Sequence, residues 1–318
     1  MQRWGVTAAG TKRYRCAACQ ITGVRKRPDN QLRYRRALFL RWSMGKSTLA
    51  ELAVSCGVTR QTLTIWFRHF WSTPPCAVPQ SNVRTLVIDG TSLEWRRTTM
   101  LIAHDPAQSR PVGWGTVAYE RYDTWLWFLT HLKRQGVNPA FVVCDGQRGM
   151  LAALRCIWPT ALIQRCVVHI HRQARLWLTQ RPKTGAGKDL LRLVDQLLAV
   201  KTRRQRRRWI RSFHRWLHIH NRFLKERSWN LDKTHWWYTH RKVRAVRSLL
   251  RNSMPDLFRY VSNPIDVPRT TNHVEGGLNS RIKELVRSHR GQHTSRKVVL
   301  ASWYLSVRQA KKPTRNVT

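Results

Sequence analysis

Acidic residues are scarce in this chain: 16 Asp and Glu stand against 59 Lys and Arg in 318 residues, a formal charge of +43. Such an imbalance excludes the near-neutral surface of an ordinary metabolic enzyme and implies a polyanionic partner. Scarcity also gives each acid weight, because a carboxylate at the end of an apolar strand is then hard to dismiss as surface decoration. Long apolar runs are missing as well. No stretch approaches the ~18 residues of a bilayer span, and the first residues, MQRWGVTAAG, lack the apolar core of a signal peptide, so an intracellular, cytoplasmic protein is expected. Cysteines number seven, an odd count spread mostly through apolar runs, which argues against a disulfide framework.

What the chain has in quantity is arginine, which outnumbers lysine and suits bidentate phosphate contacts. It also has 16 Trp, read chiefly as core with some free to stack on bases. Near the start, Cys16 and Cys19 form a C-x-x-C knuckle. Two thiolates at that spacing can share a zinc ion, but a closed site needs four ligands and no second knuckle lies near. Residues 1–28 therefore read as the second half of a zinc ribbon whose first knuckle lay upstream. Over 29–71, Leu49 to Ala53 is helical, Gly57 marks a turn, and Thr59 caps a second helix carrying Leu63, Trp66, Phe67 and Phe70 on one face. This is helix-turn-helix spacing, and it leaves Arg60, Gln61 and Thr64 facing outward where base edges are read. The prolines of 72–82 mark a linker.

The remainder is organised around Arg84 to Thr91. Thr85 to Ile88 read as a buried strand ending in Asp89-Gly90. Strands over 98–103 and 111–118 complete a meander. A helix carrying Trp125, Phe128, Leu129 and Leu132 follows, then a buried strand, Phe141 to Cys144, that ends in Asp145-Gly146. A hairpin is the competing reading of each Asp-Gly pair. After Asp145 it fails, since Met150, Leu151, Leu154, Ile157 and Trp158 have helical spacing. A strand, a helix and a further strand at 161–164 make a right-handed crossover, so Asp145 and Asp89 are expected at the same side of the sheet. Two neighbouring carboxylates repel unless a cation joins them, and hard oxygen ligands suit Mg²⁺. A third acid is offered by Glu275, at the border of the apolar stripe Val274, Leu278, Ile282 and Leu285. Asn272 to Glu275 also fits a capping box. Against that reading stand Gly276 and Gly277, which are costly in a helix and suggest the close approach of another backbone or of DNA. Glu284, at ion-pair spacing from Lys283 and Arg287, belongs to a solvated face.

The order Asp89, Asp145, Glu275, together with QRCVVHIHR after the second Asp and TTNHVEGGLNSRIK around the Glu, resembles the DDE transposases of bacterial insertion sequences related to the Mutator superfamily. The likeness covers nearly all of the chain, with Cys166-x-x-His169 as a family marker expected to order the sheet end beside Asp145. It implies an α/β, ribonuclease H-like mixed sheet in two parts, 83–180 and 269–310, around a helical insertion at 181–268. It also implies catalysis by Asp89, Asp145 and Glu275 on two Mg²⁺, action on terminal inverted repeats and target DNA, and a homodimer or larger assembly. Independently, the stretch between Asp145 and Glu275 is too long for one strand and a connection, and apolar spacing marks three helices in it. Cations surround most of the second, and Arg206, Arg207 and Arg208 are assigned to the phosphate backbone. Asn279, Arg281 and Lys283 are assigned to DNA beside Glu275, and Trp236-Trp237 to core packing, with a wedge into distorted DNA ends as the alternative. Rival readings are a nuclease or resolvase on the same fold, and a DNA-binding remnant without catalysis.

Overall fold

The computed structural model describes residues 1–8, 10–24, 28–94, 97–265 and 267–310, with the side chains of 28 and 29 left aside. Residues 25–27, which close the expected half ribbon, lie outside the described residues. The chain divides into two compact units, Met1–Pro74 and Pro75–Thr318.

In the first unit, β1 (Gln2–Val6), β2 (Lys12–Arg15) and β3 (Thr22–Val24) form an antiparallel sheet, and the C-x-x-C sits on the β2–β3 turn, closed by the Gln20 N–H on Cys16 O at 3.0 Å. Three helices follow: α1 (Pro28–Met44), α2 (Leu49–Cys56) and α3 (Arg60–Ser72). The second and third start and stop where their caps dictate. A Thr48/Glu51 capping box opens α2, left-handed Gly57 (φ 64°) ends it, and Thr59 caps α3. The sequence reading did not find α1, whose arginines blur its apolar stripe. Phe39 of that helix is nevertheless the centre of the small core, with ring centroids 5.2 Å from those of Phe67, Phe70 and Trp71. Trp66 is only half-buried and packs edge-on against Tyr34.

The second unit is built on a five-stranded mixed sheet. Its strands are β4 (Thr85–Glu94), β5 (Thr98–Asp105), β6 (Arg110–Val117), β7 (Phe141–Cys144) and β8 (Leu162–Arg165), in the order β6-β5-β4-β7-β8. The first three strands are antiparallel, whereas β7 and β8 run parallel to β4 because α4 (Tyr122–Arg134) and α5 (Arg148–Ile157) carry the chain back between them. Side chains alternate along β4. Leu86 and Ile88 enter the core under α4 and α5, while Val87 points to the opposite face with Met100, Ile102 and Val143.

That opposite face is covered by α6 (Val167–Leu178), α7 (Gly185–Leu197), α8 (Arg203–Ile219), α9 (Asn221–Lys225), a hairpin of β9 (Arg227–Trp229) and β10 (Trp236–Tyr238), α10 (Arg241–Leu257) and α11 (Arg259–Ser262). The insertion is thus not wholly helical. Trp236 and Trp237 lie half-buried on its hairpin rather than in the core expected for them, because three-residue strands cannot enclose two indoles. The insertion is tied to edge strand β8 by Gln164, which donates to Leu257 O and accepts from Tyr260 N. After it come α12 (Asn272–Val274), a π-helical segment Glu275–Asn279, α13 (Ser280–Ser288) and α14 (Thr294–Ala310). The last of these packs on β6, where Gln309 donates to Pro111 O. Among the described residues no helix is long and apolar enough to cross a membrane.

Candidate active site

Asp89 does not end its strand at a sheet edge. It sits halfway along central β4, paired with Ile102 of β5, because β5 continues past it while parallel β7 stops at Cys144. Beyond that stop the β7 side of β4 is open. The last parallel partners are Val87 and Val143, and two residues further on lie Asp89 and Asp145, on the face that α6 to α14 cover. The crossover inferred from the sequence therefore puts both aspartates at one level of the sheet.

Each carboxylate is held by its own partner. Asp89, 7% exposed, accepts from Asn279 Nδ2 at 2.8 Å. Asp145 Oδ1 accepts from the Gln147 N–H at 2.9 Å. Gln147 in turn donates to Glu120 O and accepts from Trp125 Nε1, so α4 and α5 fix that turn together. Gly146 adopts φ 86°, and an added Cβ would lie 1.9 Å from Nε of Arg165, whose guanidinium also donates to Asp145 O and Ser253 Oγ. Glu275 opens the π-helical segment, and Asn279 closes it. The distortion keeps Val274, Leu278, Ile282 and Leu285 buried while setting both polar groups toward the sheet, a recurrent use of π-bulges. No capping box forms, since Thr271 precedes α12 and donates its hydroxyl to Glu275 Oε1 at 3.1 Å.

Burial, then the charges of Asp145 and Glu275, push the Asp89 carboxyl up to about 7. Glu275 moves the other way, down to about 2, chiefly through His169, whose Nε2 lies 3.0 Å from Oε1, with Arg172 3.2 Å from Oε2. The Cys166 thiol and Glu275 beside it raise His169 to about 10. Cys166 accepts from the N–H and hydroxyl of Thr271 and donates its own N–H to Cys144 O. The Cys166–His169 pair thus joins the sheet end to the Glu275 segment, and its histidine meets Glu275.

Sequence reasoning missed Glu120. Its carboxyl lies on Gly90, where an added Cβ would sit 2.3 Å from Oε1, and burial followed by Asp145 raises its pKa. The scarcity of acids that drew attention to Asp89 applies equally to it. Arg172, Gln147 and Arg165 carried no comparable signal.

Other expected residues lie elsewhere. Arg281 is exposed and paired with Glu284 at 2.8 Å, and Lys283 is exposed on the same helix. On α8, Arg207 and Arg208 are exposed, and Arg206 is half-buried. In the other unit Arg60, Gln61 and Thr64 are all exposed on α3, while Cys16 and Cys19 face solvent in part or fully and supply only two thiols. Among the described residues no three His, Cys, Asp or Glu side chains are gathered so as to hold a metal ion. The reason at the sheet is visible: Glu275 is turned into His169, Thr271 and Arg172. One oxygen nonetheless stands ready, since Asn279 Oδ1 is buried beside Asp89 without a hydrogen-bond partner.

Residues 111–294, more than half of the chain, match the family described as "Transposase, Mutator family", and the chain belongs to that family. It is 33% identical over 67 residues to a probable transposase for an insertion sequence element of Corynebacterium diphtheriae, a match covering 21% of this chain and 20% of that protein. It is 30% identical over 102 residues to the transposase for insertion sequence element IS905 of Lactococcus lactis subsp. lactis (strain IL1403), covering 29% and 26%. The matched stretches thus span about a fifth and a quarter of these relatives.

Proposed function

We propose that this protein cuts DNA at the ends of an insertion sequence and joins those ends to target DNA, using Asp89, Asp145 and Glu275 on a ribonuclease H-like sheet. The observation that carries the reading is the common level of Asp89 and Asp145, with the Glu275–Asn279 segment joined to Asp89 through the Asn279 hydrogen bond. The strand order supports the fold, with an antiparallel trio extended by two parallel strands. Oxygen donors suit a hard divalent ion: two aspartates and the orphaned Asn279 Oδ1, with Glu275 added once it turns from His169. Asp89, Asp145 and Glu275 would hold Mg²⁺, which would supply activation of the attacking hydroxyl and stabilisation of the leaving oxygen.

The chain's own residues do the positioning. Asn279 fixes the Asp89 rotamer, the Gln147 amide orients Asp145, and Thr271 with His169 holds Glu275 in reserve. Arg172, Arg281 and Lys283 present cations beside the Glu275 segment for the scissile strand. In the first unit, α2 and α3 act as the helix-turn-helix that reads terminal repeats through Arg60, Gln61 and Thr64, and Arg206 to Arg208 grip phosphates. Zinc at Cys16 and Cys19 would require two more ligands from another segment or copy. Joining two ends calls for at least a dimer.

The test incubates the protein in Mg²⁺ with labelled DNA from the borders of its own gene and a target plasmid. Wild type is expected to cut and join, whereas Asp89→Asn and Asp145→Asn bind the ends but do neither. Cutting without joining would make it a nuclease or resolvase, and binding alone a DNA-binding remnant. Strand transfer retained by either variant would refute the assignment.

A further inference from the structure

Away from the acids, the insertion holds a groove of about 790 Å³ between the end of α6, the α6–α7 connection and the β9–β10 hairpin. Its walls include Trp177 and Trp237, both half-buried, and its rim carries Arg181, Lys183, Arg241 and Lys242, all exposed. None of the lining residues is Asp or Glu. Of the lining residues, His240 has its ring held by the Glu226 carboxylate at 2.7 Å.

From this lining we infer that the groove binds one unpaired nucleotide of a DNA end, its base against the indoles and its phosphate on the rim cations. The inference rests on DNA being the substrate. The volume falls within the roughly 300–1,000 Å³ of small-molecule sites. A flat, apolar wall with a cationic rim selects a ligand that is both flat and anionic, the combination by which single strands are held. Bases inside a duplex present only their edges, so a ring-lined concavity takes a base only when it is extruded or overhanging.

Two further features fit a built site. Arginines stack on three successive rings of the hairpin, Arg227 on Trp236 at 4.0 Å, Arg241 on Trp237 at 5.5 Å and Arg244 on Tyr238, which stiffens a wall that two three-residue strands alone would leave loose. Among the lining residues, exposed Thr179 holds φ 65° and ψ 171°, a conformation that is rare for a β-branched residue.

Binding of the full chain, in EDTA to prevent cleavage, to a blunt duplex and to the same duplex bearing a short single-stranded overhang with a fluorescent purine analogue tests this directly. The overhang is expected to bind about tenfold tighter, with quenching of the analogue. Trp237→Ala should abolish both effects while blunt-duplex affinity stays unchanged, and Trp237→Phe should restore part of them. Since a Trp variant can misfold, the rim variant Arg181→Ser/Lys242→Ser, altered only at exposed positions, is expected to lose the preference too. Equal affinity for the two duplexes without quenching, or a preference that survives both the Trp and rim substitutions, overturns the groove assignment and leaves the acid site standing. Failure to bind either duplex overturns the DNA reading and the groove with it.

Discussion

Replacing Asp89 by Asn should stabilise the metal-free protein at alkaline pH, against the general tendency of substitutions to destabilise. Asp89 is 7% exposed and its carboxyl is raised from 3.8 to about 7 by burial and by Asp145 and Glu275. Between those two values the native state holds a proton that the unfolded chain has released, so stability falls as pH rises through this window. Above it, the buried charge costs the native state at most about 4 kcal/mol, from the width of the window at about 1.4 kcal/mol per unit. Asn carries no charge and can still accept from Asn279 Nδ2 through its Oδ1. Thermal melts in EDTA should therefore show the variant roughly 4–16 °C above wild type at alkaline pH, for about 2–4 kcal/mol in a unit of this size. The gap should close as pH falls to the ordinary carboxylate range. Added Mg²⁺ should raise the wild-type melting temperature by mass action and leave the variant unmoved. A variant no more stable than wild type at alkaline pH, or a gap independent of pH, would refute the reasoning.

Gly146→Ala puts a Cβ into the Arg165 guanidinium at a left-handed backbone position, and urea unfolding should show a loss of about 2 kcal/mol or more. An unchanged midpoint would mean that the turn after Asp145 is not held as described. His169→Gln removes the partner of Glu275. The low pKa of Glu275 gives stability that is lost as pH falls from 4.5 toward 2, and the high pKa of His169 gives stability that is lost as pH rises from 6.5 toward 10. Wild type and variant should therefore differ most between 4.5 and 6.5, by roughly 1 kcal/mol after screening of a part-exposed pair. Urea titrations across pH check this, and a difference that grows above pH 10 would contradict it.

The sheet could be read from the sequence because buried strands such as Phe141 to Cys144 are continuous apolar runs, and because the helical spacing after Asp145 rules out a hairpin. Strand length was less readable: β4 continues through Asp89-Gly90, since pairing with β5 persists where the apolar run ends. The arginines of α1 hid a helix whose buried residues are only a few. Trp236 and Trp237 misled because hydrophobicity is not burial when the strands bearing them are three residues long. At the site, spacing identified which acids to examine and not which way they point. The contact of His169 with Glu275 joins two elements far apart in the chain, and no local pattern encodes it.

The central claim is that Asp89, Asp145 and Glu275 share bound divalent metal. Fe²⁺ substituted for Mg²⁺, with ascorbate and peroxide, cuts the backbone beside the residues that hold it. Fragments ending near all three acids are expected, suppressed together by excess Mg²⁺ and by Asp89→Asn. Cleavage near the two aspartates with none near Glu275, on DNA as well as off it, would contradict the claim.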